Sequence, residues 1–140
     1  MERQIITTND GSVTIYLPEM KETYHSRFGA IQEAYHVFIH NGLSLIQVRP
    51  VSILEIGFGT GLNAFITYLE SVKSGQEIEY TGVEAFPVDA AEAAMLNYVA
   101  ELKADEFSEV FTAMHTCKWG EKTYLNNKFK LTKRRQFFSD

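Results

Sequence analysis

Between residues 51 and 69 an apolar run, Val51, Ile53, Leu54 and Ile56, gives way to Gly57-Phe58-Gly59-Thr60-Gly61, and Leu62, Phe65, Ile66 and Leu69 then recur at helical spacing. A short apolar run closed by glycine reads as a parallel strand buried on both faces, and the change of period marks a strand turning directly into a helix. Three glycines at alternate positions let the backbone bend sharply and approach a ligand without Cβ clashes, while the helix N-terminus aims N–H groups at whatever sits there. The feature therefore predicts an α/β chain with a nucleotide-type cradle at a strand end.

The spacing narrows the ligand. A dinucleotide fingerprint needs glycine at 62, where the chain has leucine, and a phosphate loop needs a Gly-Lys-Ser/Thr ending that Asn63-Ala64-Phe65 lacks. Residues 77–84 alternate as a second strand ending in Glu84, 23 residues beyond Gly61. An acid at that strand end can accept both ribose hydroxyls, which specifies an adenosine-type ligand without phosphates. Glu55 adds a second carboxylate just before the loop, which suits a ligand carrying positive charge, such as the sulfonium and amino group of S-adenosyl-L-methionine, and repels a pyrophosphate.

Around this unit the rest of the chain is arranged in order. Asn9-Asp10-Gly11 between β-prone stretches predicts a β-hairpin over residues 4–17, ended by Pro18. A Tyr24–Gly29 loop leads to a helix from Ala30 to Asn41, with Ile31, Ala34, Tyr35, Val37 and Phe38 on its apolar face and Gly42 as a left-handed cap. Arg49-Pro50 marks a boundary, so residues 1–50 read as an N-terminal extension and 51–140 as the cofactor-binding part. Gly75 closes the helix after the glycine loop, and a further helix is expected from Pro87 to Lys103, with Ala91, Ala94, Met95, Tyr98 and Leu102 on one face. A short helix around Phe107, Val110 and Phe111 and a third strand over residues 128–133 complete a β-α-β-α-(α)-β order, which implies a parallel sheet with right-handed crossovers.

Charge and cysteine usage bound the setting. The 140 residues carry a formal net charge of −5. It is unevenly spread: residues 1–116 hold six basic and sixteen acidic side chains, residues 117–140 seven basic and two acidic. The cationic tail, with Trp119, Tyr124, Phe129, Phe137 and Phe138 among its lysines and arginines, reads as a polar face with core aromatics before it reads as a phosphate surface. A single cysteine, Cys117, excludes an intrachain disulfide or a thiolate metal cluster; no apolar run is long enough for a membrane span, and a cytoplasmic setting without membrane is expected.

Glu55 to Asn63, with Asp10–Thr14, Tyr24–Ala30 and Glu33–Ile39 before it and Glu84-Ala85-Phe86-Pro87 after it, resembles the MnmC-like (MnmD-type) methyltransferase family. The resemblance runs from about residue 5 to the end. It implies a Rossmann-like class I methyltransferase fold preceded by the hairpin and helix, and S-adenosyl-L-methionine as cofactor. It also implies methylation of the aminomethyl nitrogen on the wobble thiouridine of a tRNA anticodon loop, with an FAD-dependent oxidoreductase, fused or separate, as a further partner. Carried over residue by residue, Gly57, Gly59 and Gly61, with Phe58 and Thr60 between them, would line the cofactor, Glu84 would bind the ribose, and Glu55, Asn63 and Tyr24 would stand near it. The family's fourth strand, with its substrate-side aspartate and Pro-Glu-Leu-Trp stretch, has no counterpart in this sequence, whose last residues are Phe137-Phe138-Ser139-Asp140. The resemblance therefore places the catalytic acid beyond Asp140. The expectation is an N-terminal part of a longer enzyme, cut before that strand, which binds the cofactor weakly, methylates poorly and leaves an unpaired sheet edge through which a homodimer could form. A nicotinamide- or flavin-linked oxidoreductase and a non-catalytic adenosine-binding fragment remain as alternatives.

Other residues carry weaker signals. His25 and Ser26, in the loop before the first helix, are substrate-side candidates, with capping or packing as an equal reading for His25. Glu33, His36 and His40 fall at i, i+3 and i+7 of one helix, but packing is favoured and no metal is expected. Cys117 reads as a small buried thiol and Trp119 as packing.

Overall fold

A computed structural model describes residues 2–47 and 50–137. Arg49 of the boundary and Phe138 of the tail lie outside them, as does Asp140, beyond which the catalytic acid is expected. Strands β1 (Gln4–Thr7), β2 (Val13–Leu17) and β3 (Glu22–Thr23) form an antiparallel sheet in that order. The hairpin pairs Thr7 with Val13, and Gly11 turns its loop at φ 88°. That loop also caps a helix. Gly29, at the N-terminus of α1 (Ala30–Ala34), has no side chain to cap with, so Thr8 Oγ1, Ser12 Oγ and Asp10 Oδ2 accept the N–H groups of Ala30, Ile31 and Gln32. Burial works against the Asp10 charge, but hydrogen bonds from Ser12, the Gln32 amide and Thr8 outweigh it and hold the carboxyl below its usual value.

The first helix departs from expectation. From Tyr35 to His40 it widens into a π-helix, Asn41 N–H donating to His36 O at 3.2 Å. The wider turn rotates the apolar face: Ile39 is buried and Phe38 lies 6.2 Å from the Tyr80 ring, while Val37 is exposed. Gly42 is no left-handed cap, since its φ is −135°. Glycine is required there by space instead, because a Cβ would stand 2.6 Å from Phe38 O.

The second sheet has the order β4 (Val51–Ile56), β5 (Ile78–Glu84), β7 (Phe129–Arg135), β6 (Lys122–Asn126). β4, β5 and β7 are parallel and in register, Val51 opposite Ile78 and Ile78 opposite Phe129. β6 pairs antiparallel with β7. This hairpin strand is additional to the three expected; Asn126-Asn127 was its turn signal, Asn126 Oδ1 accepting from Lys128 N–H. It covers the third strand, so among the described residues the unpaired parallel edge is β4. The fold is α/β and Rossmann-like.

Helices α2 (Leu62–Ser74) and α5 (Ser108–Thr116) cover one face of this sheet. Leu62, Phe65, Ile66 and Leu69 are buried there, with Tyr68 stacked edge-on against Phe129 at 5.4 Å and Phe65 against Phe111 at 5.0 Å. Gly75 ends α2 at φ 73°, as its position predicts. β4 is not buried on both faces: Val51 and Glu55 are buried, but Ser52, Leu54 and Ile56 are exposed on the opposite face. β4, β5 and β7 follow one another in a single direction across the sheet, and crossovers of one hand then lay their helices on the same face, which leaves the other bare.

The helix expected over residues 87–103 is two, α3 (Ala90–Ala94) and α4 (Tyr98–Glu101). Asp89 and Glu92 form a capping box, so α3 starts at Asp89 rather than Pro87. Asn97 breaks the continuity, because its carboxamide accepts from Val13 N–H and donates to Gly11 O, both at 3.0 Å. Tyr98 is consequently buried and Met95 exposed. Among the described residues no helix is long and apolar enough to cross a membrane.

Candidate functional site

At the carboxyl ends of β4 and β5 lies an open cavity of about 620 Å³. The glycine loop lines it with Gly57, Phe58 and Gly59, β4 with Leu54, Glu55 and Ile56, α2 with Asn63 and β5 with Glu84, while Tyr24, His25, Glu33 and Phe38 come from the N-terminal elements. The Tyr24-His25-Ser26 loop is tied to the first sheet by Tyr24 N–H to Ile15 O at 2.8 Å and by His25 N–H to Thr14 Oγ1 at 3.0 Å. The N-terminal elements thereby form one wall of a site whose floor comes from the second sheet.

The glycines divide the work. All three have positive φ, 88°, 57° and 79° for Gly57, Gly59 and Gly61. A Cβ on Gly57 would meet nothing within 4 Å, so the loop leaves open space on the cavity side there. On Gly59 it would crowd Tyr24 at 3.1 Å, and on Gly61 the His115 ring at 3.2 Å. Gly61 and Thr60 do not line the cavity. Thr60 is buried behind the loop, accepting from Tyr98 OH at 3.1 Å, while its carbonyl lies 2.8 Å from His115 Nε2. Burial, helped by the positive charge of Lys133 and opposed by the Thr60 contact, lowers His115 to about 4. The ring is therefore neutral at pH 7 and Nε2–H is the donor to Thr60 O.

Glu84 reaches across to the loop, Gly59 N–H donating to its Oε1 at 2.7 Å and Phe86 N–H to its Oε2 at 3.2 Å. A carboxylate has about four acceptor sites, so two remain for hydroxyls in the cavity. Glu55 is nine-tenths buried; its Oε1 accepts from Tyr80 OH and its Oε2 from Asn63 Nδ2, both at 2.7 Å. Burial raises its pKa to about 7, the two hydrogen bonds pull against that rise, and Glu84 adds to it. A cation placed beside Glu55 would drive its proton off. Among the described residues no lysine or arginine lines the cavity, and burial lowers the pKa of His25, away from the charged state, so the walls are acidic.

Eight of the residues expected at the site, Tyr24, His25, Glu55, Gly57, Phe58, Gly59, Asn63 and Glu84, share this cavity; Ser26, Thr60 and Gly61 stand behind its lining. Sequence reasoning missed Tyr80 and Gly82. Gly82 admits Phe58, since a Cβ would lie 2.5 Å from that ring. Inward alternation of Tyr80 and Gly82 along the second strand was the available signal. It also missed Glu33 and Phe38 as cavity walls. His36 and His40 are exposed, away from Glu33, and among the described residues no three His, Cys, Asp or Glu side chains cluster as metal ligands would. In the tail Lys133 is buried, its Nζ 4.5 Å from the Trp119 ring and donating to His115 O, while Lys122 and Lys130 face Glu79.

No protein-family model matches the chain. It is 34% identical over 87 residues, 58% of its length, to the tRNA 5-methylaminomethyl-2-thiouridine biosynthesis bifunctional protein MnmC of Magnetococcus marinus. To the protein of that name from Delftia acidovorans it is 34% identical over 117 residues, 73% of the chain. These stretches span only 13% and 18% of those proteins. Among solved structures, MNMC2 from Aquifex aeolicus superposes on 97% of the chain and 43% of its own, with a TM-score of 0.66 and 21% identity, a likeness of fold.

Proposed function

We propose that this chain, MnmC-like in sequence and in fold, is the cofactor-binding portion of an S-adenosyl-L-methionine-dependent methyltransferase. Its substrate is the aminomethyl nitrogen of a tRNA wobble uridine. One observation carries the reading: a glycine loop with open space at Gly57, a strand-end acid and a second buried acid meet in one cavity that, among the described residues, no lysine or arginine lines. Three carboxylates, Glu33, Glu55 and Glu84, favour a cationic nucleoside and oppose a diphosphate. This disfavours the nicotinamide- or flavin-linked alternative.

When bound, S-adenosyl-L-methionine supplies an electrophilic methyl group on a positively charged sulfur. The chain's residues supply the rest. Glu84 would accept ribose hydroxyls while Gly59 and Phe86 amides hold its orientation, and Gly57 and Gly59 permit close approach of the backbone. Glu55 would lose its proton and face positive charge, with Asn63 and Tyr80 fixing the carboxylate. Residues 1–50 act as an extension that closes the cavity through Tyr24, His25 and Phe38. The anticodon loop of tRNA and an FAD-dependent oxidoreductase are the partners this reading implies, in the cytoplasm, and the open β4 edge is where a homodimer would form.

Calorimetry with S-adenosylmethionine, S-adenosylhomocysteine, NAD and ATP tests the cofactor. Binding of the first two and silence from the others is expected; preference for NAD or ATP overturns the reading. The cofactor-binding portion should bind with little or no methyl transfer to hypomodified tRNA, and efficient turnover by these 140 residues overturns that part of the reading.

A further inference from the structure

The segment that joins β5 to α3 has few means of holding itself in place. Ala85, Phe86, Pro87 and Val88 carry side chains without a hydrogen-bonding group, and Pro87 lacks even a backbone N–H. Yet this segment presents the Phe86 N–H to Glu84 Oε2 at 3.2 Å, one of the two hydrogen bonds that fix the strand-end carboxylate. An anchor comes from 83 positions away. Arg3, just before β1, donates from Nη2 to Phe86 O at 2.9 Å, and from Nη1 to Pro87 O at 3.3 Å and to Glu92 Oε1 at 3.0 Å. Its side chain is only 17% exposed. Glu92 Oε1 also accepts from Asp89 N–H at 3.1 Å, so the guanidinium ties the segment to the capped start of α3. Phe86 thus has its N–H on Glu84 and its carbonyl on Arg3. The guanidinium also stands near the cavity wall: burial raises the pKa of the Tyr24 hydroxyl, and the Arg3 charge pulls against that rise.

We infer that Arg3 is a positioning residue for the cofactor: by holding the Phe86 and Pro87 carbonyls it keeps Glu84 aimed at the two ribose hydroxyls. The inference rests on the methyltransferase reading and extends its binding machinery to a residue outside the cavity lining. A planar fork suits the task, since it meets two carbonyls and a carboxylate from fixed directions, which an ammonium on a flexible stem does not. Without it the Phe86 N–H is no longer held against Oε2, and the carboxylate keeps the Gly59 N–H alone, about which it can turn. Glu84 must then be ordered at the moment of binding, a cost that the clamp removes beforehand. That cost falls on the ribose hydroxyls and on no other part of the ligand.

The test compares, by calorimetry, S-adenosylhomocysteine with its 2′,3′-dideoxy analogue, which lacks both hydroxyls. The 140-residue chain should bind the first about 100-fold more tightly, the yield of two charge-assisted hydrogen bonds. In Arg3→Ala that ratio should fall to about tenfold or less, with affinity for the dideoxy compound within about twofold of the parent. Arg3→Lys keeps the charge without the fork; it should match Arg3→Ala, and it carries the test should the alanine variant fail to fold. In a Glu84→Ala background, Arg3→Ala should cost no further affinity. Each ratio is taken within one folded variant, so a lower melting temperature does not mimic the effect. Equal weakening of both ligands, an unchanged ratio, full recovery in Arg3→Lys, or an additive loss in the Glu84→Ala background overturns the inference. Absence of S-adenosylhomocysteine binding by the parent chain overturns the cofactor reading and this inference with it, whereas every other outcome leaves the cofactor reading standing.

Discussion

Gly57 and Gly61 stand four residues apart in one loop, both with positive φ, yet the space beside them differs. Next to Gly57 there is nothing within 4 Å; next to Gly61 are the His115 ring at 3.2 Å and the Phe58 ring at 3.3 Å. The same difference runs through the neighbouring residues. On the cavity side stand carboxylates, Glu55 and Glu84, held by hydrogen bonds and facing open volume. On the packed side stand Phe58, Tyr98, Phe111 and a neutral His115, which lock the loop onto the core. A glycine motif thus joins a ligand-facing half to a stability-bearing half. Changes on one side should affect binding, and changes on the other should affect folding.

Phe58→Ala should have the largest effect, destabilising the chain by about 4 kcal/mol in urea denaturation, because a nearly fully buried ring against Gly82 is lost and a cavity remains. A loss below about 1 kcal/mol would erase the distinction between the two sides.

Next come opposed pH dependences. Glu55 holds its proton more tightly folded, at about 7 against an ordinary 4.5, so it withdraws stability as pH rises through that interval. His115 holds its proton more weakly folded, at about 4 against 6.5, so it withdraws stability as pH falls through that one. Each is worth on the order of 3 kcal/mol, and the two nearly cancel between about pH 4.5 and 6.5. His115→Gln, which retains a donor for Thr60 O, should therefore unmask Glu55 as a fall in stability from pH 5 to 7, measured by denaturation at both values. A variant whose stability still rose with pH would refute the assignment of opposite signs.

Glu84→Ala should weaken S-adenosylhomocysteine binding by about 100-fold in calorimetry, as two charge-assisted hydrogen bonds go, while its melting temperature moves little. Equal losses in both measurements would place Glu84 on the folding side. The smallest effect sharpens the comparison at the glycines themselves. Alanine at 57 should cost about 1 kcal/mol for backbone strain alone, and alanine at 61 about 1 kcal/mol more for crowding His115 and Phe58. Matching unfolding free energies for the two variants would show that local strain, rather than the neighbours, sets the cost.

Periodicity in the sequence determined the strand-glycine-helix unit, the second strand with its terminal acid, the helix end at Gly75 and the hairpin at Asp10-Gly11, because each is a local conformational preference written in consecutive residues. Spacing also placed Glu55 and Glu84 near the site, and the family resemblance added Tyr24. What the tertiary structure alone decided are the partnerships: Tyr80 with Glu55, His115 with Thr60, Glu33 with His25, and Asn97 with the distant hairpin loop, which cuts one expected helix into two. The hairpin strand β6 and the π-turn after Ala34 belong to the same class. Such pairs lie as far as 86 positions apart, and sheet register and helix packing set their meeting. A residue's neighbours in sequence fix its preferred shape; its charge state and task depend on groups the folded chain brings to it.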